Sequence, residues 1–103
     1  MNIFVLMNRR TQIIFWLKEI LQKNLADISY RAFIFGSQAN LQELRRADID
    51  VGLIGNKEIQ PQHLSKINEA IENLPMLYNV DIVDFSNVDE QFKTVAFRNI
   101  EWL

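Results

Sequence analysis

Residues 32–53 read AFIFGSQANLQELRRADIDVGL, and the other predicted elements are arranged around this segment. Its first part, Phe33 to Phe35, is a short apolar run that stops at Gly36, as a buried strand does when it ends in a tight turn. Ser37 follows at a predicted helix N-cap, and residues 38–47 predict a short helix and a polar turn. The stretch closes with a second strand, in which acidic and apolar residues alternate.

The Gly-Ser turn is a candidate phosphate-binding element. A turn that leads into a helix offers unpaired backbone N–H groups and a partial positive charge, which together attract phosphate. The hydroxyl of Ser37 would add one more contact. Such turns are common, so Gly36 and Ser37 indicate a phosphate site only when a second feature of the sequence supports it.

Carboxylates in two strands supply that second feature. Asp48, Asp50 and Gly52 fall on one face of the second strand, with apolar side chains on the other face. Asp81 lies inside a later apolar strand, and Asp84 at the end of that strand is the alternative third ligand. Neighbouring carboxylates repel unless a cation lies between them, which indicates Mg²⁺ or Mn²⁺. Three carboxylates beside a phosphate-binding turn indicate phosphoryl or nucleotidyl transfer.

The order of elements predicts an α/β domain. Helix, strand, short helix, strand, helix, strand and helix follow one another without an internal repeat or linker. The ten residues between the first two strands favour an antiparallel pair, while a helix over 61–74 permits a parallel crossover into the third strand. Antiparallel return would bring Asp48 and Asp50 beside Gly36 and Ser37.

Gly36-Ser37, ten further residues, Asp48-Ile49-Asp50 and a later Asp81 between apolar residues form a pattern that resembles a known family. It resembles the minimal nucleotidyltransferases (MNT proteins) of the DNA polymerase β superfamily, over nearly the whole chain. The resemblance implies a small mixed sheet of three to four strands flanked by helices. It implies transfer of an NMP, with AMP from ATP as the expected case, by the catalytic and metal-binding residues Asp48, Asp50 and Asp81.

The turn after the first strand departs from this family. The family commonly reads Gly-Ser-x-Ala-Arg-Gly, with a serine before Asp-x-Asp. This chain has Asn40 in place of that arginine, Leu41 in place of the second glycine and Ala47 in place of the serine. Asparagine offers only neutral hydrogen bonds to a triphosphate, in place of a charged one. Arg45 and Arg46 either compensate by reaching back over the site or are solvated loop charges. We therefore count Asn40, Arg45 and Arg46 with Gly36 and Ser37 as candidate nucleotide-binding residues.

The resemblance also implies a biological setting. MNT proteins are typically encoded beside an all-helical HEPN protein, form a toxin and antitoxin pair with it, and in some cases add AMP to a tyrosine of the toxin. A second hypothesis is a weak or inactive module that neutralises this partner by binding. Transfer to a small molecule or nucleic acid is a third, which the lack of an acceptor domain and of a basic surface disfavours.

Composition bounds these hypotheses. The 103 residues, 49% hydrophobic, predict a single domain over 1–103 with one modest core. A formal net charge of -2 gives no reason to expect strong nucleic-acid binding, and nothing resembles a transmembrane span. The absence of cysteine excludes disulfides and thiolate metal sites and fits a cytoplasmic protein. The opening residues lack the features of a secretory signal, and either Met1 or Met7 can be the natural start.

Apolar periodicity predicts the flanking helices. Residues 11–26 form an amphipathic helix, in which Phe15 and Trp16 either cover the core or mark a partner surface. The helix over 61–74 starts with a proline in its first turn. A last helix is predicted with Ser86 as its N-cap. Its expected apolar face consists of Val88, Phe92, Val95, Ala96 and Ile100. The apolar C-terminal end, which includes Trp102, closes the core or docks a partner or a second copy in a homo-oligomer.

Overall fold

The computed structural model describes residues 8–39, 48–76 and 78–103 of the chain. The predicted helix and polar turn between the first two strands lie mostly outside these residues, as does the N-terminal segment 1–7. Among the helices that are described, none combines the length and apolarity that a membrane span requires.

Three α-helices and a four-stranded sheet make up the described parts of the chain. The elements are α1 (Arg9–Asn24), β1 (Tyr30–Phe35), β2 (Ile49–Gly55), α2 (Pro61–Glu72), β3 (Val80–Asp84), α3 (Glu90–Ala96) and β4 (Ile100–Trp102). A single 3₁₀ turn, Gly36–Gln38, follows β1 directly. The strand order across the sheet is β3-β2-β1-β4.

The sheet is mixed, as predicted. β1 pairs antiparallel with β2, and β2 pairs parallel with β3, the two strands being connected through α2. β4 adds a second antiparallel pair on the free side of β1. The α/β class, the antiparallel return and the parallel crossover are thus confirmed. The end of β1, which leads into Gly36, lies beside the starts of β2 and β3, which carry Asp50 and Asp81, so the three residues lie at the same end of the sheet.

The two faces of the sheet carry different cores. The face that we call the back packs against α1 and α2 through aliphatic side chains, all of them less than 8% exposed. The strands contribute Ala32, Ile34, Ile49, Val51 and Leu53, and the helices contribute Ile13, Leu17, Leu21, Ile67 and Ile71. Because side chains alternate along a strand, the residues between these point to the opposite face, which we call the front.

The front face carries an aromatic cluster beneath α3. Phe33 and Phe85 are fully buried, and Phe35 and Ala96 nearly so. The Phe33 and Phe85 rings meet edge to face with centroids 4.9 Å apart, a favourable geometry for aromatic pairs. Gly52 lies directly beneath them, and a side chain at this position would collide with both rings. The front face also carries Asp50, so the candidate site and this cluster share one surface.

Local capping explains where the helices begin. The Asn8 side chain accepts a hydrogen bond from the Thr11 amide at 2.8 Å, so α1 starts two residues before the predicted point. Pro61 occupies the first turn of α2, as predicted. The prediction of Ser86 as the cap of α3 is wrong. Asp89 caps this helix by accepting from the Phe92 amide at 2.7 Å.

The chain ends in a strand, and the predicted extension of the last helix to Ile100 is wrong. Ile100 and Trp102 belong to β4, where they pair with Phe35 and Phe33. The guanidinium carbon of Arg31 lies 3.8 Å from the centroid of the Trp102 ring, which is a cation–π contact. The aromatic C-terminus therefore closes the edge of the sheet, although Trp102 stays 42% exposed.

The two aromatic residues of α1 have different environments. Trp16 is partly buried and packs against the back-face core, in agreement with the core-cover interpretation. Phe15 is 43% exposed and lines a groove between α1 and α2. Core cover is therefore confirmed for Trp16, whereas Phe15 is mostly outside the core.

Candidate active site

The strand register brings two of the candidate carboxylates side by side. Asp50 on β2 is the direct partner of Asp81 on β3, in neighbouring parallel strands. Paired residues of adjacent strands point to the same face and lie about 5 Å apart. Asp48 is exposed and stands two residues before Asp50, on the same side of the chain. All three carboxylates therefore lie on the front face, at the end of the sheet where β2 and β3 begin.

The electrostatics of Asp50 reflect this crowding. Burial raises the pKa of the Asp50 carboxyl above its usual value of 3.8, and the charges of Asp81 and Asp48 raise it further. Partial desolvation and like charges both disfavour the ionised form. The site therefore concentrates negative charge that a cation would relieve.

The Gly36 turn lies directly against Asp50. Phe35, the last residue of β1, pairs with Asp50, and the 3₁₀ turn begins at the next residue. Gly36 has a φ of 78°, a backbone conformation that residues other than glycine rarely adopt. A Cβ atom at this position would stand 3.2 Å from Oδ2 of Asp50. The backbone conformation therefore favours glycine, and a side chain here would also crowd the Asp50 carboxylate.

The prediction that Ser37 is a helix N-cap is wrong. Ser37 lies inside the 3₁₀ turn, and Phe35 occupies the N-cap position. The turn is closed by the Ala39 amide, which donates to the Gly36 carbonyl at 3.2 Å. Its first backbone N–H groups have no acceptor within the turn, as at the start of any helix, so a phosphate-binding role remains open to Gly36 and Ser37.

Two asparagines support the site, and the sequence reasoning missed both. The Asn79 side chain donates to Oδ1 of Asp48 at 3.2 Å, and the Asn99 side chain donates to the Gly36 carbonyl at 3.3 Å. The parallel register of β2 and β3, which places Asn79 opposite Asp48, is the signal that could have identified the first. The second depends on the turn before β4, a strand that was not predicted.

Asp84 does not join the carboxylates. It is three residues from Asp81, so its side chain points to the back face. One carboxylate oxygen accepts from the Ile59 amide at 2.8 Å, and the other accepts from the Ser86 amide and hydroxyl at 3.0 and 2.7 Å. Asp84 therefore fixes the segments before α2 and after β3, and the alternative assignment as third ligand is disfavoured.

The remaining predictions have different outcomes. Asn40, Arg45 and Arg46, the predicted nucleotide ligands of the following turn, lie outside the described residues. Within the described ranges, no three histidine or acidic side chains form a ready-made metal cluster. Asp48, Asp50 and Asp81 are thus near enough to repel one another, but a metal would have to draw them into a coordination shell.

Two cavities flank the carboxylates. A cavity of about 640 Å³ lies on the β3 side and is lined by Asp48, Asp81, Tyr78 and Asn79 among others. A smaller one of about 230 Å³ lies on the Gly36 side, between the end of β1 and α3. Substrate groups can therefore approach the carboxylates from both directions.

Comparison with known proteins agrees with the fold. The sequence profile of the polymerase beta nucleotidyltransferase family matches residues 16–103. No curated protein sequence matches the chain. Among solved structures, a toxin-antitoxin crystal structure with AMP-PNP is similar at a TM-score of 0.66 and 15% identity, covering 84% of this chain and 68% of that one.

Two further structures are similar at a TM-score of 0.56. One is the tri-AMPylated Shewanella oneidensis HEPN toxin in complex with MNT antitoxin, at 17% identity over 89% of this chain and 66% of that one. The other is a spectinomycin adenyltransferase of an Enterococcus with ATP and spectinomycin, at 14% identity over 89% and 48%. At such identities the similarity shows a shared fold alone.

Proposed function

The chain belongs to the polymerase beta nucleotidyltransferase family, and we propose that it transfers AMP from ATP to a hydroxyl group of a protein partner. One observation carries this proposal. Asp50 and Asp81 are paired on the front face, and Gly36, with its positive φ, lies directly against Asp50. The turn that we propose to bind phosphate and the paired carboxylates lie at the same end of the sheet, which supports nucleotidyl transfer.

The carboxylates fit Mg²⁺ or Mn²⁺, which prefer oxygen ligands. Asp48 and Asp50 would hold the ion that accompanies the triphosphate, and Asp50 and Asp81 would hold a second ion near the acceptor. The raised pKa of Asp50 supports this assignment, because its neighbours Asp81 and Asp48 contribute charge that a cation would balance. When bound, the ions neutralise charge that develops on the phosphoryl oxygens.

The residues of the chain then divide the remaining tasks. The backbone N–H groups of Gly36 and Ser37 would hold the β and γ phosphates and stabilise the leaving pyrophosphate. The acceptor oxygen attacks the α-phosphorus, the bond to pyrophosphate breaks, and the hydroxyl proton passes to Asp81. Asn79 keeps Asp48 in position, and Asn99 holds the turn at Gly36. Asn40, Arg45 and Arg46 would supply further contacts to the phosphates, beside the backbone N–H groups of Gly36 and Ser37.

We further propose that the acceptor is a tyrosine of an all-helical HEPN toxin, for which this chain acts as antitoxin in the cytoplasm. The support comes from similar structures, one a tri-AMPylated HEPN toxin in complex with MNT antitoxin and another a toxin-antitoxin structure with AMP-PNP.

Mass spectrometry of the chain mixed with the product of the neighbouring gene and Mg-ATP tests the proposal. We expect a mass increase of one AMP on a tyrosine of the partner, and no increase with the Asp48→Ala, Asp50→Ala double variant. Asp27→Asn, which alters an exposed carboxylate after α1, is the matched control and should transfer AMP normally. Transfer that persists in the double variant would refute the assignment of these carboxylates.

A second candidate function is neutralisation of the partner by binding alone. It is favoured by Asn40, Leu41 and Ala47, which stand where the family commonly has arginine, glycine and serine. Under this hypothesis a tight complex forms, no nucleotide yields an adduct, and the Asp48→Ala, Asp50→Ala variant binds the partner as well as the unaltered chain.

A further inference from the structure

Two apolar side chains of α3 stand exposed beside the candidate site. Phe92 is 43% exposed and Val95 is 59% exposed, although the sequence predicts both on the buried face of their helix. Together with Ala96 and Phe35 they line the 230 Å³ cavity, and Gly36, Asp50 and Asn99 complete its lining. Phe92 and Val95, which we call the apolar wall, therefore stand next to Gly36, proposed to bind phosphate, and Asp50, proposed to bind metal.

The wall is held in place before any ligand binds. The Phe92 ring meets the Phe35 ring edge to face at a centroid distance of 6.1 Å and lies 5.6 Å from the Phe85 ring. The Phe92 amide donates to the Asp89 cap, which fixes the start of the helix. Phe92 therefore presents an oriented aromatic surface to the cavity at little entropic cost on binding.

We propose that this cavity receives the nucleobase of the nucleotide substrate, which stacks against Phe92 and contacts Val95. The inference rests on the proposed function and extends it to the base. The cavity is small and concave, and it borders Gly36 and Asp50, so a base placed there is connected through its ribose to phosphates at the turn. A flat protein partner would instead cover the exposed sides of Phe92 and Val95 without entering the cavity.

The lining also determines which nucleotides are preferred. Phe35, Phe92, Val95 and Ala96 supply most of the cavity lining, and Asp50 is assigned to the metal. The base is thus bound mainly by apolar contact and stacking, which accept any base but favour the larger purine ring. We expect ATP and GTP to bind similarly, and both to bind more tightly than CTP and UTP.

Calorimetric titration with Mg-ATP and with magnesium tripolyphosphate, which lacks a base, separates this role from a phosphate contact. Loss of one base–aromatic stack weakens binding about tenfold. We expect Phe92→Ala to show this loss for ATP and none for tripolyphosphate, while Phe92→Tyr, which keeps the ring, binds ATP normally. Phe15→Ala is the matched control, because Phe15 is equally exposed at 43% but lies on α1 away from the site.

The outcomes separate the base site from the proposed function. ATP binding that Phe92→Ala leaves unchanged would overturn the base site alone, even if AMP transfer occurs. Equal weakening of ATP and tripolyphosphate would also overturn it, since Phe92 would then support the phosphate turn. Loss of partner binding in Phe92→Ala with unchanged ATP affinity would assign the wall to a protein partner instead. An unaltered chain that binds no ATP would contradict both proposals.

Discussion

Replacing Gly52 with alanine tests how the site and the aromatic cluster share the front face. A Cβ atom at Gly52 would lie 2.3 Å from Cζ and 2.5 Å from Cε2 of Phe33, and 2.8 Å from Cε1 of Phe85. Phe33 is fully buried and cannot move aside, because four rings surround it at centroid distances of 4.9–5.9 Å. These rings belong to Phe35, Phe85, Phe97 and Trp102.

The expected cost follows from these distances. Carbon atoms in contact ordinarily lie about 3.5–4.0 Å apart, so strand and ring would have to separate by about 1 Å or more. Overpacking of a core costs about 1–3 kcal/mol, and the enclosed position of Phe33 places Gly52→Ala at about 3 kcal/mol. For a domain of this size the melting temperature would fall by roughly 15 °C. Urea denaturation followed by circular dichroism measures the loss directly.

A double-mutant cycle with Phe33→Leu provides the control. Leucine lacks the ring atoms that the new methyl group would meet, so the two changes together should cost at least about 1 kcal/mol less than the sum of the single changes. Strict additivity, or a Gly52→Ala variant within about 0.5 kcal/mol of the unaltered protein, would refute the packing of Phe33 over Gly52.

Three further predictions concern the carboxylates and the turn. Asp50→Asn should raise the free energy of unfolding at neutral pH, because the raised pKa makes the Asp50 carboxylate unfavourable in the folded state. The gain should vanish in urea titrations as the pH falls through the raised pKa towards 3.8; a constant gain would contradict this cause. Asp84→Ala should cost about 2 kcal/mol through lost hydrogen bonds, whereas Asp81→Ala should stay within about 0.5 kcal/mol; equal thermal shifts would refute the distinction. Gly36→Ala should cost about 1–2 kcal/mol for its positive φ and weaken Mg-ATP binding in calorimetry; unchanged stability would contradict that φ.

The strands that build the site were predictable because local pattern and tertiary environment agree there. The alternation from Asp48 to Leu53 specifies a strand with one acidic and one apolar face, and its apolar side chains Ile49, Val51 and Leu53 are indeed buried on the back face. The same alternation could have predicted that Asp81 and Asp84 point to opposite faces, since residues three apart on a strand do so. The short connection between β1 and β2 left the antiparallel return as the favoured pairing.

The C-terminal region was predicted less well, since its local signals are compatible with two structures. Val95, Ala96 and Ile100 fit a helical stripe, yet the chain leaves the helix after Ala96 and Ile100 enters β4. A strand of three residues has too few positions to display a period, and it forms because β1 offers a free edge. The Ser86 prediction was wrong because Asp84, two residues earlier, engages that hydroxyl.

The α/β class, the acidic face of β2 and the tight turn at Gly36 follow from the sequence alone, because each depends on residue type and on spacing within a few neighbours. Which groups meet across the sheet depends instead on tertiary packing. It paired Asp50 with Asp81, turned Asp84 away, linked Asn99 to the Gly36 carbonyl and left Phe92 beside the site. These contacts join segments 25 to 63 residues apart, and their free energy exists only once the strands have paired and the aromatic cluster has closed.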